Sequence, residues 1–255
     1  MILQLEGKQI VLTGAAGGIG SLVATRLRAH GARLIGIDRV DCPACDETII
    51  ADLSSEQGLA SIGDALGARK VDMLVNIAGF QYFGPYERQD QANIWLGYAV
   101  NLIAPAALTR AVLPQMIKRK SGHIVNIGSV MGSINYPFFA AYSSAKAGVR
   151  GLSEGLRREM AGLGVDVSYI APRAVRTAFN NAAVMRFMEM TKMHPDDPAF
   201  VADRIVQAIL KRRKETFIGF RERLFVRLNA LFPRLIDAGL AGQTAQGRQL
   251  FSSDQ

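Results

Sequence analysis

The 255-residue sequence is poor in cysteine, tryptophan and histidine, with two, one and three of each. Cys42 and Cys45 form a lone Cys-Pro-Ala-Cys; a zinc site would need two more ligands nearby, and His30, His123 and His194 are scattered. A redox pair of this spacing normally opens a helix in a thioredoxin-like unit, which the surroundings of Cys42 do not resemble. The two are read as incidental reduced thiols, no metal is expected, and the expected compartment is cytoplasmic. No uninterrupted apolar stretch approaches the roughly 18 residues that a spanning helix needs. Residues 1–8 carry no basic lead followed by an apolar block, so no signal peptide is expected. Repeats, low-complexity tracts and Pro/Gly/Ser linkers are missing, and 49% apolar against 20% charged residues excludes a disordered chain.

Charge of one sign is in excess, with 30 Lys and Arg against 22 Asp and Glu. The excess is local. Residues 211–255 hold nine basic and four acidic side chains, while residues 1–210 hold 21 and 18 and are close to neutral. This distribution argues against nucleic acid as a partner of the whole chain.

What is present is alternation. Short apolar runs at 9–12, 33–37, 48–51, 71–75, 123–127 and 166–170 are separated by helical patterns. Strands apolar throughout are buried on both faces, so the expected fold is α/β: a Rossmann-type doubly wound parallel sheet with helices on both faces. One domain spanning residues 1–255 is expected, with a C-terminal helical extension. Ligands of such sheets bind beyond the carboxyl ends of the strands. The link from Asp38 to the third strand is under ten residues, too short for a crossover helix, and predicts a tight loop carrying both cysteines.

The segment Thr13-Gly14-Ala15-Ala16-Gly17-Gly18-Ile19-Gly20 follows the first strand and opens the first helix. Glycines there let the backbone approach a pyrophosphate, and the helix N-terminus offers free N–H groups. Asp38, 24 residues after Gly14, ends the second strand; its carboxylate accepts from a ribose 2′-hydroxyl and repels a 2′-phosphate. NAD is therefore expected, with NADP kept open by Arg39. Tyr142 and Lys146, four residues apart on a helix, share one face. A neighbouring ammonium is expected to depress the phenol and make it a proton donor or acceptor near neutrality. Ser129, thirteen residues upstream at a strand end, can donate to a substrate carbonyl.

These residues give the chain a resemblance to the short-chain dehydrogenase/reductase superfamily. Thr-Gly-x-x-x-Gly-Ile-Gly, with Gly14, Gly18, Ile19 and Gly20, is complete, and Asp52-Leu53 is similar to the pair that contacts the adenine. Asn76-Ile77-Ala78-Gly79 resembles the family's Asn-Asn-Ala-Gly turn, which steadies the central sheet, and Pro172, Val175 and Thr177 match the segment receiving the nicotinamide carboxamide. The resemblance implies that Asn76, Ala78 and Gly79 belong to the cofactor site. It also implies a catalytic set of Asn101, Ser129, Tyr142 and Lys146, with Tyr142 as general acid/base, Lys146 also clamping the nicotinamide ribose, and the Asn101 carbonyl holding a relay water. The expected reaction interconverts a secondary alcohol and a ketone with NAD(H). The alternative is a catalytically silent nucleotide-binding regulatory or scaffold protein of the same fold.

Two departures stand out. The family's Pro-Gly is Pro172-Arg173 here, leaving Arg173 either outward-facing or aimed at a cofactor phosphate or acidic substrate group. The C-terminus shows no sign of the strand and Gly-rich ending common in beta-ketoacyl carrier-protein reductases, so a homodimer is expected and the full tetramer is left open. Residues 178–200 correspond to the mobile substrate lid. Phe179, Met185, Phe187, Met188, Met190 and Met193 there, with Phe80, Tyr82, Phe83, Phe138 and Phe139, lean toward a bulky or long apolar substrate or pack into the core. In the tail, Phe220, Leu224, Leu228 and Leu231 are interleaved with Arg221, Arg223, Arg227 and Arg234. This basic amphipathic helix docks on the body or a second subunit, or lies as a peripheral contact on an anionic membrane.

Overall fold

A computed structural model describes residues 3–252. The apolar runs become β1 (Gln9–Thr13), β2 (Arg33–Asp38), β3 (Glu47–Ile50), β4 (Met73–Asn76), β5 (Gly122–Ile127) and β6 (Val165–Ala171), joined by a short β7 (Glu215–Phe217). They form one parallel sheet in the order β3-β2-β1-β4-β5-β6-β7. Alternation within an all-apolar strand feeds two cores. From β1, Ile10 and Leu12 join Val23 and Leu27 of α1 (Gly20–Ala29) and Ile205 and Ile209 of α7 (Pro198–Leu210). Val11 points the other way, into Ile62 and Leu66 of α2 (Glu56–Gly67) and Leu108, Val112 and Met116 of α4 (Ala104–Lys118). The helix on either face is thus dictated by the strand pattern. Together with α3 (Gln91–Tyr98), α4 makes a helix, Gln91–Lys118, apolar and long enough by composition to cross a membrane, yet its apolar side is the second of these cores.

The β2–β3 link is the expected tight loop: Cys45 N–H bonds the Cys42 carbonyl at 2.8 Å, and both thiols are free. Burial pushes the Cys45 thiol up to about 12, so it stays protonated and unreactive.

The C-terminal extension departs from expectation at its start. A seventh strand does form, with Tyr169 opposite Glu215 and Ala171 opposite Phe217. Three residues behind the Lys211–Lys214 charge block carry too little pattern to be read as a strand. Phe217 secures it by packing edge-on to Tyr169, ring centroids 6.2 Å apart, beneath the Arg150 guanidinium. The remainder is helical, α8 (Phe220–Leu231) and α9 (Pro233–Ser252). The apolar stripe read from α8 docks only in part: Leu228 is half-buried and lines the main cavity, Val226 beside it is buried, and Phe220, Leu224 and Leu231 face solvent.

Within β5, His123 is buried and shares a 2.8 Å hydrogen bond with the Ser168 hydroxyl of β6. Burial pushes the imidazole from 6.5 down to about 4. Below the unfolded value the unfolded chain takes up a proton that the folded one refuses, so stability falls as pH drops from about 6.5 to about 4. Chemical denaturation should show His123→Gln losing about 3 kcal/mol less than the parent between neutral pH and about pH 4. Parallel curves for the two proteins would reject this role.

Candidate active site

The glycine segment leaves β1 at Gly14, where φ is +67° and a Cβ would lie 2.7 Å from the Ala78 Cα. At Gly20 a Cβ would lie 1.9 Å from the Gly14 carbonyl oxygen, and at Gly18 it would meet the Thr177 methyl at 3.0 Å. Side chains are therefore excluded from a cradle that closes directly onto the start of α1. Ile19 caps that helix with no side-chain hydrogen bond and no acidic residue follows in the first turn; Ser21 N–H is taken by the Gly17 carbonyl at 2.9 Å, and the end of the helix faces the cleft without a competing carboxylate. The Thr13 hydroxyl accepts from Ile77 N–H at 3.1 Å and Ala78 N–H at 3.2 Å, tying the turn after β4 to the cradle.

At the end of β2, Asp38 accepts from Ala16 N–H at 3.0 Å and Arg39 N–H at 2.7 Å, so its carboxylate is fixed at the rim of the cleft. Asp52 accepts from the Ser54 N–H and hydroxyl, both at 2.8 Å, and these bonds hold its carboxyl below the usual range. Both acids and Leu53 line the same cleft. Asn76 does not. It is buried beneath the turn, donating to Asn126 at 2.8 Å, and Asn126 in turn donates to Ser153 of α5 (Ala140–Glu159) at 2.9 Å. Asn76 therefore braces β4 against β5 and, through Asn126, against α5, while Ala78 and Gly79 reach the cleft. Asn76 thus sits beneath the cleft rather than among the residues that line it.

The reactive side chains meet at the carboxyl end of β5. Ser129 caps a 3-10 turn, Val130–Gly132, its oxygen accepting from Met131 N–H at 3.1 Å; the hydroxyl proton is left to donate into the cleft. Tyr142 and Lys146 lie one turn apart near the start of α5, both buried, as expected from their spacing. The Lys146 ammonium donates to the Ile127 carbonyl at 3.1 Å and lies 5.9 Å from the centre of the Tyr142 ring. The expected depression of the phenol is not what this environment produces. Burial penalises both charged forms, pushing Tyr142 up to about 12, with the Ser129 hydroxyl pulling it back down, and Lys146 down to about 8.

Asn101 sits in a π-helical turn, Ala99–Ile103, between α3 and α4, a distortion found often at functional sites. Its amide donates to the Phe80 carbonyl at 2.6 Å and the Gly97 carbonyl at 2.8 Å, and its oxygen accepts from Phe80 N–H at 3.2 Å. The side chain thus fixes the loop after Gly79, one wall of the cleft.

One cavity of about 1140 Å³ runs from the glycine cradle past Ser129, Tyr142 and Lys146 to an apolar chamber. Pro172, Val175 and Thr177 line it on the β6 side. Of the expected apolar residues, Phe80, Phe139, Phe179, Met188 and Met193 reach the cavity. Phe83, Phe138 and Phe187 instead pack with Phe251 of α9 in an aromatic cluster under the lid helix α6 (Ala182–Met190). The sequence reading missed the roof: Phe225, Leu228, Leu235, Ile236 and Leu240 of α8 and α9 close the chamber. Their amphipathic spacing signals a helix but not that its half-buried side covers a site. Hydrogen bonds pin the roof down, from Tyr136 to Gln243 and from Asn229 to the Ser133 carbonyl at 2.9 Å.

Arg173 lines the cavity and is paired with carboxylates of the chain itself. It grips Asp196 of the lid segment through two bonds of 2.7 and 2.6 Å and reaches Glu222 of α8 at 3.1 Å. The guanidinium ties the end of β6, the lid and the roof together. Because the pair is partly exposed, its stabilisation is modest. Arg173→Ala is expected to raise KM about fivefold with kcat within about twofold, read from steady-state kinetics. A large fall in kcat at unchanged KM would place Arg173 in the chemistry instead.

A glycine cradle on a helix N-terminus, facing a buried Ser–Tyr–Lys set at a parallel sheet's carboxyl edge, is the arrangement of a Rossmann-type nucleotide-dependent oxidoreductase. The chain belongs to the short chain dehydrogenase family, whose profile matches residues 8–186. It is 32% identical over 258 aligned positions to dehydrogenase/reductase SDR family member 7B of Danio rerio, covering 91% of this chain and 84% of the relative. Among solved structures it is similar to a short-chain dehydrogenase from Sphingobium yanoikuyae in complex with NADPH, at 26% identity and a TM-score of 0.77, covering 90% of this chain and 95% of that one. It is also similar to the bulky-bulky ketone specific alcohol dehydrogenase from Comamonas testosteroni, at 26% identity and a TM-score of 0.74, covering 90% and 94%.

Proposed function

We propose that the protein interconverts a bulky, apolar secondary alcohol and its ketone with NAD(H). The observation that carries this reading is the cavity joining the glycine cradle to the Ser129–Tyr142–Lys146 set and then to a mainly apolar chamber, with Arg221, Glu222 and Gln243 among its polar lining. A nicotinamide dinucleotide fits the cradle, where Gly14, Gly18 and Gly20 leave room only for close backbone approach, and bound there it would supply or accept the hydride. Asp38 would hold the adenosine ribose through its 2′-hydroxyl, which supports NAD over NADP; Arg39 lines the same rim and is the feature favouring the phosphorylated form. Asp52 and Leu53 flank the adenine end, and Pro172, Val175 and Thr177 the nicotinamide end.

On the substrate side Ser129 donates a hydrogen bond to the carbonyl oxygen and polarises it while keeping its own proton. Tyr142, protonated at neutral pH, gives its proton to the same oxygen as the carbon is reduced and takes it back in oxidation. Lys146 carries charge below about 8 and stabilises the phenolate that forms, so reduction slows as pH rises through that value. The family resemblance assigns to the Asn101 carbonyl a water that would link Lys146 to solvent. Phe179, whose ring centre is 6.1 Å from that of Tyr142, presses substrate toward the reacting groups. The kinship to a bulky-ketone alcohol dehydrogenase supports the same substrate class.

A screen of alcohols and ketones with NAD(H) and NADP(H), read at the reduced-nicotinamide absorbance band, tests this. Turnover is expected with aryl, steroid-like or long-chain secondary alcohols and NAD, and preference for small polyols would overturn the substrate assignment. For assembly, Trp95 and Ile103 are 72% and 51% exposed on the helices around Asn101, and that face is the proposed homodimer contact. A cytoplasmic location is part of the same proposal.

A further inference from the structure

A second, smaller cleft of about 450 Å³ lies at the β7 edge of the sheet, away from the catalytic cavity, between α5, the end of α7, β7 and α8. Its walls carry Arg150, Arg204, Lys211, Arg213, Arg223 and Arg227 against a single carboxylate, Glu215. That carboxylate is already engaged by Arg150 at 3.2 Å. The other five cations have no ion-pair partner among the described residues. Thr216, whose hydroxyl oxygen is buried without a hydrogen-bond partner, lines the same cleft. Five unpaired cations gathered around an orphaned hydroxyl repel one another unless an anion joins them, and arginine forks match phosphate oxygens.

The neighbouring face of α8 is apolar and open. Phe220, Leu224 and Leu231 are 85%, 55% and 70% exposed, and Phe232 and Leu235 extend the patch across the corner into α9. Apolar side chains beside a basic cleft on one helix are what a surface needs to sit in a bilayer interface with its cations at the headgroups. We propose that this face docks on an anionic membrane, the cleft holding lipid phosphates while Phe220, Leu224 and Leu231 enter the acyl boundary. A second copy of the chain is the poorer occupant, because an isologous contact over this face would set the basic cluster against itself. The chemistry proposed for the catalytic cavity is not required for this docking.

The test is co-sedimentation of the full chain with phosphatidylcholine vesicles, with and without a phosphatidylglycerol fraction. Binding is expected only to the anionic vesicles. Arg223→Gln combined with Arg227→Gln should weaken it about 30-fold, and Phe220→Ser combined with Leu224→Ser should weaken it without changing the sedimentation coefficient in the absence of lipid. Neither pair lines the catalytic cavity, so thermal unfolding and turnover of a soluble substrate should be unchanged and report intact folding. Failure to bind anionic vesicles, or binding indifferent to the arginines, overturns the proposal. Saturable binding of inorganic phosphate that displaces the vesicles would make the cleft a soluble-phosphate site. Equal retention on single-stranded DNA, or a dimer dispersed by the Phe220/Leu224 pair, would assign the face to another partner and overturn it as well.

Discussion

Replacing Tyr142 by phenylalanine lowers kcat by about 10²–10⁴ while leaving cofactor affinity near that of the parent, the range expected for loss of a positioned acid/base. The substitution removes one oxygen from a buried ring that packs with Phe83, Phe139, Val184, Phe187 and Met188, so the fold is kept. The proton has no substitute donor of equal placement. Ser129 can donate a hydrogen bond but, as an aliphatic hydroxyl, is too weak an acid to give up its proton, and Lys146 is held by the Ile127 carbonyl. Single-turnover reduction with cofactor titrated separately checks both halves. A variant as fast as the parent would remove Tyr142 from the chemistry, and one that loses cofactor as well would show that the ring mainly shapes the site.

Gly20→Ala is expected to be nearly as damaging by a different route. Its new methyl would fall 1.9 Å from the Gly14 oxygen and 2.9 Å from the Gly14 carbonyl carbon, both backbone atoms with no rotamer to yield. The first turn of α1 or the cradle must move. Overpacking of this kind costs about 1–3 kcal/mol of stability. Displacing the anion-binding N–H groups by a fraction of an ångström should weaken NAD binding about 100-fold. Gly63→Ala, whose methyl meets only the Ala111 Cβ at 3.7 Å, serves as the control and should leave binding unchanged. Calorimetric titration with NADH separates the two; equal affinity would mean that the cradle is not the cofactor site.

Much of this site was legible because its residues answer to local rules. Thr13 to Gly20 must be small where strand meets helix, Tyr142 and Lys146 share a face through helical spacing, and the six longer strands announce themselves as apolar runs. What escaped depends on tertiary contacts. The resemblance implied that the turn of Asn76 steadies the sheet, yet only the pairing of β4 with β5 shows the bond to Asn126 through which it does so. The strand Glu215–Phe217 is too short to carry a period, and it exists because Phe217 finds Tyr169. The π-helical turn at Asn101 follows from the grip of that side chain on Phe80 and Gly97, which no spacing rule anticipates. The tail's amphipathic pattern gave a helix, but of its stripe only Leu228 turns toward the body, next to a Val226 that the periodicity left out. Likewise the basic residue at position 173 became interpretable only once Asp196 and Glu222 were seen on either side of it.

Hydride transfer separates an enzyme from a silent nucleotide-binding relative of the same fold, and it can be followed atom by atom. Reduction of a bulky aryl ketone with NADH deuterated at nicotinamide C4, analysed by mass spectrometry of the alcohol formed, should place deuterium on the carbinol carbon with the parent protein. The Tyr142→Phe variant should show almost none in the same time. Label that stays on a cofactor which binds but does not turn over, across the panel of bulky ketones, would contradict the assignment of this cavity to alcohol–ketone interconversion.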